Sequence, residues 1–162
     1  MPISSNAKKG KQAEATELEP DLDLAESFLR WLDRDAKRWT FQTFDNRGHN
    51  GKLARILHGS LDEHAETLIE LNRQGAAVCV TMNETDFRGT KKGNIKRVRA
   101  LVADLDGAPL DPARDCRLRP HIIVETSPGR YHVYWLVEDE FPLTNSRILN
   151  VPLPKRSMAI LP

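Results

Sequence analysis

The stretch Arg119-Pro-His-Ile-Ile-Val-Glu-Thr-Ser-Pro-Gly-Arg-Tyr-His-Val-Tyr-Trp-Leu-Val137 restricts the fold of this chain more than any other. It reads as two strands joined at Pro128-Gly129, because Pro presets φ and Gly accepts positive φ. A two-residue loop there sets Ser127 opposite Arg130, Thr126 opposite Tyr131 and Glu125 opposite His132. Cross-strand partners share a face. One face then carries Ile122, Val124, Thr126, Tyr131, Val133, Trp135 and Val137, and reads as core. The other carries Glu125, Ser127, Arg130, His132 and Tyr134, a cluster of functional groups in which Glu125 partners His132. A slip of one residue would mix His132 with Val124, so the apolar pattern favours this register. Pro-Gly in L-residues lacks the twist of the primed turns, which leaves a wider loop as the alternative.

A second strand runs through Ala100-Leu-Val-Ala-Asp104-Leu-Asp106-Gly107. Side chains alternate across a strand, so Asp104 and Asp106 project from one face, roughly 6–7 Å apart at the base. Paired carboxylates at a strand end suit Mg²⁺ or Mn²⁺, hard cations that keep part of their hydration and take phosphate oxygens. An acidic turn is the competing reading, since Asp-Gly is a common turn pair.

A chain of 162 residues, 40% of them hydrophobic, is one domain's length with a core of ordinary size. Its net charge of +1 points to no polyanionic partner by itself, so any nucleic-acid contact must come from local clusters. Cys79 and Cys116 have no metal-ligand spacing and suit a reduced, cytoplasmic protein. The sequence has no apolar run long enough to span a membrane and no secretory h-region. His49, His58, His64 and His121 stand in polar contexts and read as surface residues.

Residues 1–20 form a polar tail of disordered composition. Residues 21–144 carry the folded domain, and 145–162, with three prolines and no apolar period, an irregular tail. Helical spacing of Leu22, Ala25, Phe28, Leu29 and Leu32 predicts a helix over Asp21–Ala36, and Trp39–Phe44 is a strand. Ser60-Leu-Asp-Glu63 is a capping box opening a second helix that Gly75 closes. Ala76–Met82 reads as a buried strand, 83–94 as a polar loop and Ile95–Asp106 as the carboxylate-bearing strand. The class is α+β, with helices packed on a sheet.

Four segments in order carry a resemblance. Gly75-Ala-Ala-Val-Cys-Val-Thr-Met-Asn83-Glu-Thr-Asp86, Asn94-Ile-Lys-Arg97-Val-Arg99-Ala, Asp104-Leu-Asp106-Gly and Glu125-Thr-Ser127-Pro-Gly-Arg-Tyr-His132-Val-Tyr-Trp resemble the RepB-like DNA primases of plasmids and phages, within the archaeo-eukaryotic primase superfamily. The resemblance spans Phe28 to Val137. It implies an α+β catalytic module like an RNA-recognition motif, with an antiparallel or mixed sheet. It also implies primer synthesis on single-stranded DNA from nucleoside triphosphates by two-metal nucleotidyl transfer, with a replicative helicase as a further candidate partner.

The family's Asp-x-Asp motif, which binds catalytic Mg²⁺ or Mn²⁺, maps onto Asp104 and Asp106. Its Ser-to-His motif, which meets the incoming nucleotide, maps onto Ser127 and His132, with Arg130 beside them. Asn83, Lys96, Arg97 and Arg99 are candidates for nucleic-acid contact, although strand parity sets Arg97 and Arg99 on the face opposite the carboxylates. Arg88, Lys91 and Lys92 suit either a template contact or a solvated loop. Family members continue with a helix and a further ligand motif. Here the pattern fades after Phe141-Pro-Leu, and 145–162 contains no Asp or Glu, so the chain reads as C-terminally truncated and weak in isolated activity.

Two other readings compete. A haloacid-dehalogenase-like phosphatase also ends a strand in Asp-x-Asp-Gly, but on its first strand and with a later Lys and acidic pair, whereas here the motif begins at residue 104 and no such acidic pair follows. A non-catalytic single-strand-binding or replication-accessory module of the same fold is the second, and Tyr134 is then its best-directed aromatic.

Overall fold

Helix capping and strand alternation account for most of the architecture. A computed structural model describes residues 20–45, 51–138, 141, 150–152 and 159–160, the last two segments as backbone. In chain order these form α1 (Leu22–Leu32), β1 (Trp39–Asp45), β2 (Arg55–Gly59), α2 (Leu61–Arg73), β3 (Ala76–Thr81), β4 (Glu84–Thr85), β5 (Ile95–Arg97), β6 (Ala100–Leu105), α3 (Asp111–Arg114), β7 (Ile122–Ser127), β8 (Arg130–Leu136), β9 (Asn150–Pro152) and β10 (Ala159–Ile160). The class is α+β, as expected. The strands make two four-stranded sheets rather than one, β2-β1-β3-β9 and β10-β7-β8-β6, with β4-β5 as a separate pair. Every pairing is antiparallel.

Asp21 starts α1 by accepting the Leu24 N–H at 2.9 Å, and the helix buries Phe28, Leu29 and Leu32. It stops at Leu32, short of the expected Ala36. The cause is Asp33, whose Oδ1 accepts the N–H groups of Asp35 and Ala36 at 3.2 Å each. An Asp side chain that bonds nearby backbone competes with the helix in this way. The capping box of α2 forms as read: Ser60 Oγ accepts the Glu63 N–H at 3.1 Å, and Glu63 Oε2 accepts the Ser60 N–H at 2.8 Å. Gly59 leaves room for it, because a Cβ there would stand 2.2 Å from Glu63 Oε2.

Three expectations about strands change. β2, with Arg55 and Ile56 exposed at the sheet edge, lacks the apolar alternation that would announce it. The loop expected over 83–94 contains β4 and a 3₁₀ turn at Lys92–Asn94. The single strand expected over Ile95–Asp106 is β5 and β6, interrupted at Val98 and Arg99 and ending at Leu105. In the stretch 145–162, expected to be irregular, Asn150–Pro152 pairs with β3 and Ala159–Ile160 with β7. Its other residues, like 1–19, lie outside those described.

One apolar cluster joins both sheets. Trp39, Phe41 and Val80 come from the first sheet, Ala100, Ile122, Val124 and Tyr134 from the second, Phe28, Leu29 and Leu32 from α1, and Leu68 from α2. Phe28 meets Tyr134 edge to face with ring centroids 5.6 Å apart, so α1 ties the helical layer to the second sheet. Among the described residues no helix is long and apolar enough to cross a membrane.

Candidate active site

Alternation along β6 turns Ala100, Val102 and Asp104 to one side, opposite Leu136, Tyr134 and His132 of β8. Beyond β8, Ile122 and Val124 of β7 stand opposite Tyr134 and His132. This face is apolar along most of its length and becomes charged at one end. There Asp104 pairs with His132, Oδ1 and Nε2 lying 3.5 Å apart. One step further Asp106, just past the strand, forms an ion pair with Arg130. Ser127 stands opposite Arg130 across the Pro128-Gly129 turn, where Gly129 has φ +73°. The fold therefore collects Asp104, Asp106, Ser127, Arg130 and His132 at one end of one sheet face.

The electrostatics divide the group in two. Asp104 and Asp106 are about two-thirds exposed, at 67% and 66% of the side chain, and open to ions from solution. His132 is 6% exposed. Burial lowers its pKa and the Asp104 carboxylate raises it, with burial the stronger, so the imidazole is neutral at neutral pH. Its Nδ1 is buried without a hydrogen-bond partner. Tyr134, edge-on to His132 at 6.4 Å, is 1% exposed, and burial, aided by Asp104 and Cys79, pushes its hydroxyl far above the ordinary range.

The donor chemistry fits a divalent cation. Two exposed carboxylates supply hard oxygen ligands, and an ion that keeps waters or phosphate oxygens needs few protein ligands. Among the described residues no three His, Cys, Asp or Glu side chains gather closely enough to enclose an ion by themselves. An ion here therefore takes the rest of its shell from water or phosphate.

The hairpin differs from its sequence reading in register. A bulge between Glu125 and Ser127 sets Glu125 opposite Tyr131 and Val124 opposite His132, the slip that the apolar pattern disfavoured. The turn itself is the tight two-residue one. Its Pro-Gly twist mismatches the strands, and an extra residue at Thr126 restores the right-handed twist. Glu125 is thus no partner of His132. Its Oε1 accepts the Gly129 N–H at 3.0 Å, and its carboxylate also bonds Tyr131. Tyr134 belongs to the core rather than to solvent, while Tyr131 and Trp135 leave the core face, the Trp135 indole donating to the Leu118 carbonyl at 2.7 Å. His132 has Val124 and Tyr134 as core neighbours, which the expected faces separated from one another.

The proposed nucleic-acid contacts fare differently. Asn83 is 2% exposed, and its Oδ1 accepts the Arg99 N–H at 3.2 Å. Arg99 is 5% exposed, donates from Nε to Asp33 Oδ2 at 2.6 Å and lies 4.5 Å over the Trp39 ring. Arg97 pairs with the same Asp33 oxygen and donates from Nε to Glu84 Oε2 at 2.8 Å. Burial works to raise the Asp33 pKa, but the hydrogen bond and charge of Arg99, then Arg97, hold its carboxyl below the ordinary value. Asn83 and Arg99 are therefore buried, Arg97 is half-buried and held by Asp33 and Glu84, and of the four only Lys96 is exposed. The sequence reading missed Asp33, whose partners lie 64 and 66 residues further on.

Residues 62–151, more than half of the chain, match the family model of the RepB DNA-primase N-terminal domain. The AEP domain of the cyanophage S-2L primase-polymerase is similar in fold, with a TM-score of 0.55 at 17% identity over 72% of this chain and 62% of that domain. This chain thus spans less than two thirds of that domain's length. The catalytic domain of primase RepB′, solved in complex with initiator DNA, matches at 19% identity and a TM-score of 0.44, over 68% of this chain and 57% of that one. No curated protein matches. The phosphatase reading of Asp-x-Asp-Gly falls with the family match.

Proposed function

Since this chain belongs to the RepB DNA-primase family, we propose that it is a primase catalytic module that joins nucleotides on single-stranded DNA at the Asp104–His132 face. The observation that carries this reading is the pairing of Asp104 with a buried His132 at the end of an otherwise apolar sheet face. Packing alone gives no reason for a buried imidazole whose Nδ1 lacks a partner, because an orphaned polar atom costs stability.

Asp104 and Asp106 are the residues that would hold Mg²⁺ or Mn²⁺, and the ion would supply charge neutralisation on a triphosphate and activation of an attacking hydroxyl. Arg130 offers a planar fork of donors beside them, suited to bidentate contact with phosphate oxygens. Its pairing with Asp106 keeps the guanidinium beside that carboxylate. His132, neutral and with Nε2 3.5 Å from Asp104 Oδ1, offers a ring nitrogen to the site without adding charge to it. Ser127, opposite Arg130, extends the same row of polar groups. Nucleoside triphosphates and a single-stranded template are the partners this reading requires. A replicative helicase and a plasmid or phage setting accord with the family.

The test is extension of labelled nucleotide on single-stranded DNA with Mg²⁺ or Mn²⁺, comparing the full chain with Asp104→Asn. Synthesis that depends on Asp104 supports the proposal. Equal synthesis by both proteins contradicts it, and single-strand binding with no synthesis by either favours the accessory-module alternative.

A further inference from the structure

Phe87 is the non-glycine residue with positive φ, 55°, among the described residues. It lies between β4 and β5 in a loop that its neighbours hold firmly. Asp86 accepts the Arg88 N–H at 2.9 Å and the Asn94 side-chain amide at 3.2 Å, while Asn94 Oδ1 accepts the Lys91 N–H at 3.0 Å. Gly89 lies so close that a Cβ would stand 2.8 Å from Asn94 Oδ1. At the loop's other end Thr85 bonds Thr40 at 2.6 Å, and Thr40 bonds His58 Nδ1 at 2.9 Å. A bulky residue in the left-handed region is costly, and glycine would fill the position without strain.

The strained backbone puts the Phe87 ring under Arg38. The Arg38 guanidinium carbon lies 4.6 Å over the Phe87 centroid, and the His58 ring meets the same phenyl edge-on at 6.1 Å. Arg38 is exposed, and no carboxylate pairs with it among the described residues. The ring backs its guanidinium, and the side chain is otherwise exposed. The groove beside it, about 330 Å³, has Lys37, Arg38, Phe87 and Arg97 in its walls. Its acids Asp33 and Glu84 are already paired, Asp33 with Arg97 and Arg99 and Glu84 with Arg97. The exposed cations Lys37 and Arg38 remain in the wall, and exposed Arg88 follows Phe87 directly in the chain. Against them stand Asp35 in the wall and Asp86, whose carboxylate already takes the Arg88 and Asn94 donors.

We propose that this groove binds single-stranded nucleic acid, with a base stacked on the exposed Arg38 guanidinium and phosphates on Lys37 and Arg88. A guanidinium backed by an aromatic ring is a stacking platform for any base, and flanking cations follow the backbone. The groove is separate from the candidate active site: Arg99, in its wall, and Asp104 stand roughly 17 Å apart at the usual rise of a strand. The choice of ligand rests on the primase reading, but the geometry is independent of Asp104.

The experiment is fluorescence anisotropy of a labelled oligothymidylate titrated with the full chain over a range of salt concentrations. Arg38→Ala weakens binding roughly tenfold, and Arg38→Lys, which keeps the charge but not the plane, recovers only part of it. Phe87→Gly removes the backing ring and the strain together, so it weakens binding by a similar factor while melting no lower than wild type. Asp104→Asn binds as wild type does, which separates this result from the synthesis assay. Wild-type affinity in both Arg38→Ala and Phe87→Gly overturns the proposal and leaves the Asp104 reading standing. A lower melting temperature with unchanged binding in Phe87→Gly overturns it in favour of simple packing, and tighter binding to duplex than to single strands overturns the ligand class.

Discussion

Asp33 holds two guanidiniums on one carboxylate oxygen, and this residue shows what sequence reading misses. Arg97 and Arg99 match a family motif and alternate on a strand, which suggested nucleic-acid contact. Their partner lies at the end of α1, far along the chain, and local pattern carries no signal for it. Removing one member of a buried ion pair leaves the other uncompensated. Asp33→Ala therefore costs roughly 3 kcal/mol, on the order of 6–12 °C in melting temperature for a domain of this size. The pH dependence follows from the lowered pKa of Asp33. A carboxyl depressed in the folded state stabilises above its unfolded value, and that contribution is lost as pH falls through the folded one. Thermal melts of wild type and Asp33→Asn should therefore differ most near neutral pH and converge in acid. A constant gap down to strongly acid pH would contradict the network. His132 carries a related correction. Buried beside Val124 and Tyr134, it supports the fold as well as the site, so His132→Ala lowers the melting temperature in addition to any loss of nucleotide binding.

The β7–β8 hairpin was legible as an element and illegible in register. Alternation of Ile122, Val124, Val133 and Trp135 identified both strands, and Pro128-Gly129 identified the turn. Alternation cannot reveal an inserted residue, because a bulge changes which partners meet without changing either strand's own pattern. The pairing of β8 with β6 is free of bulges, and for that reason Asp104, Asp106, Arg130 and His132 came together as the sequence implied. The turn has a direct test in Gly129, with φ +73° and no atom near the place of a Cβ. A side chain there meets conformational strain alone. Gly129→Ala is expected to cost about 1–2 kcal/mol, and Gly129→Asn less, since Asn enters the left-handed region more readily. Equal melting temperatures for all three proteins would mean that the turn is not of this type.

At the scale of the whole molecule, the α+β class and the family were readable because they rest on spaced motifs and on capping chemistry. The split into two sheets was not. Its edges, β2 and β9, are short or half-exposed and lack the apolar alternation that marks a strand. The split nonetheless positions the site, since α1 and the shared core pack against one face of the second sheet, and at one end of that face the described residues leave the Asp104 and Asp106 carboxylates exposed. The central claim is that this end binds a nucleotide together with a divalent cation. It is tested most directly by isothermal titration of Mn²⁺ into the full chain with a nucleoside triphosphate present, repeated with Asp104→Asn/Asp106→Asn. The account predicts Mn²⁺-dependent nucleotide binding in the wild type that the double variant loses, while both melt at similar temperatures because the two carboxylates are exposed. Equal Mn²⁺ and nucleotide binding by both proteins would contradict it.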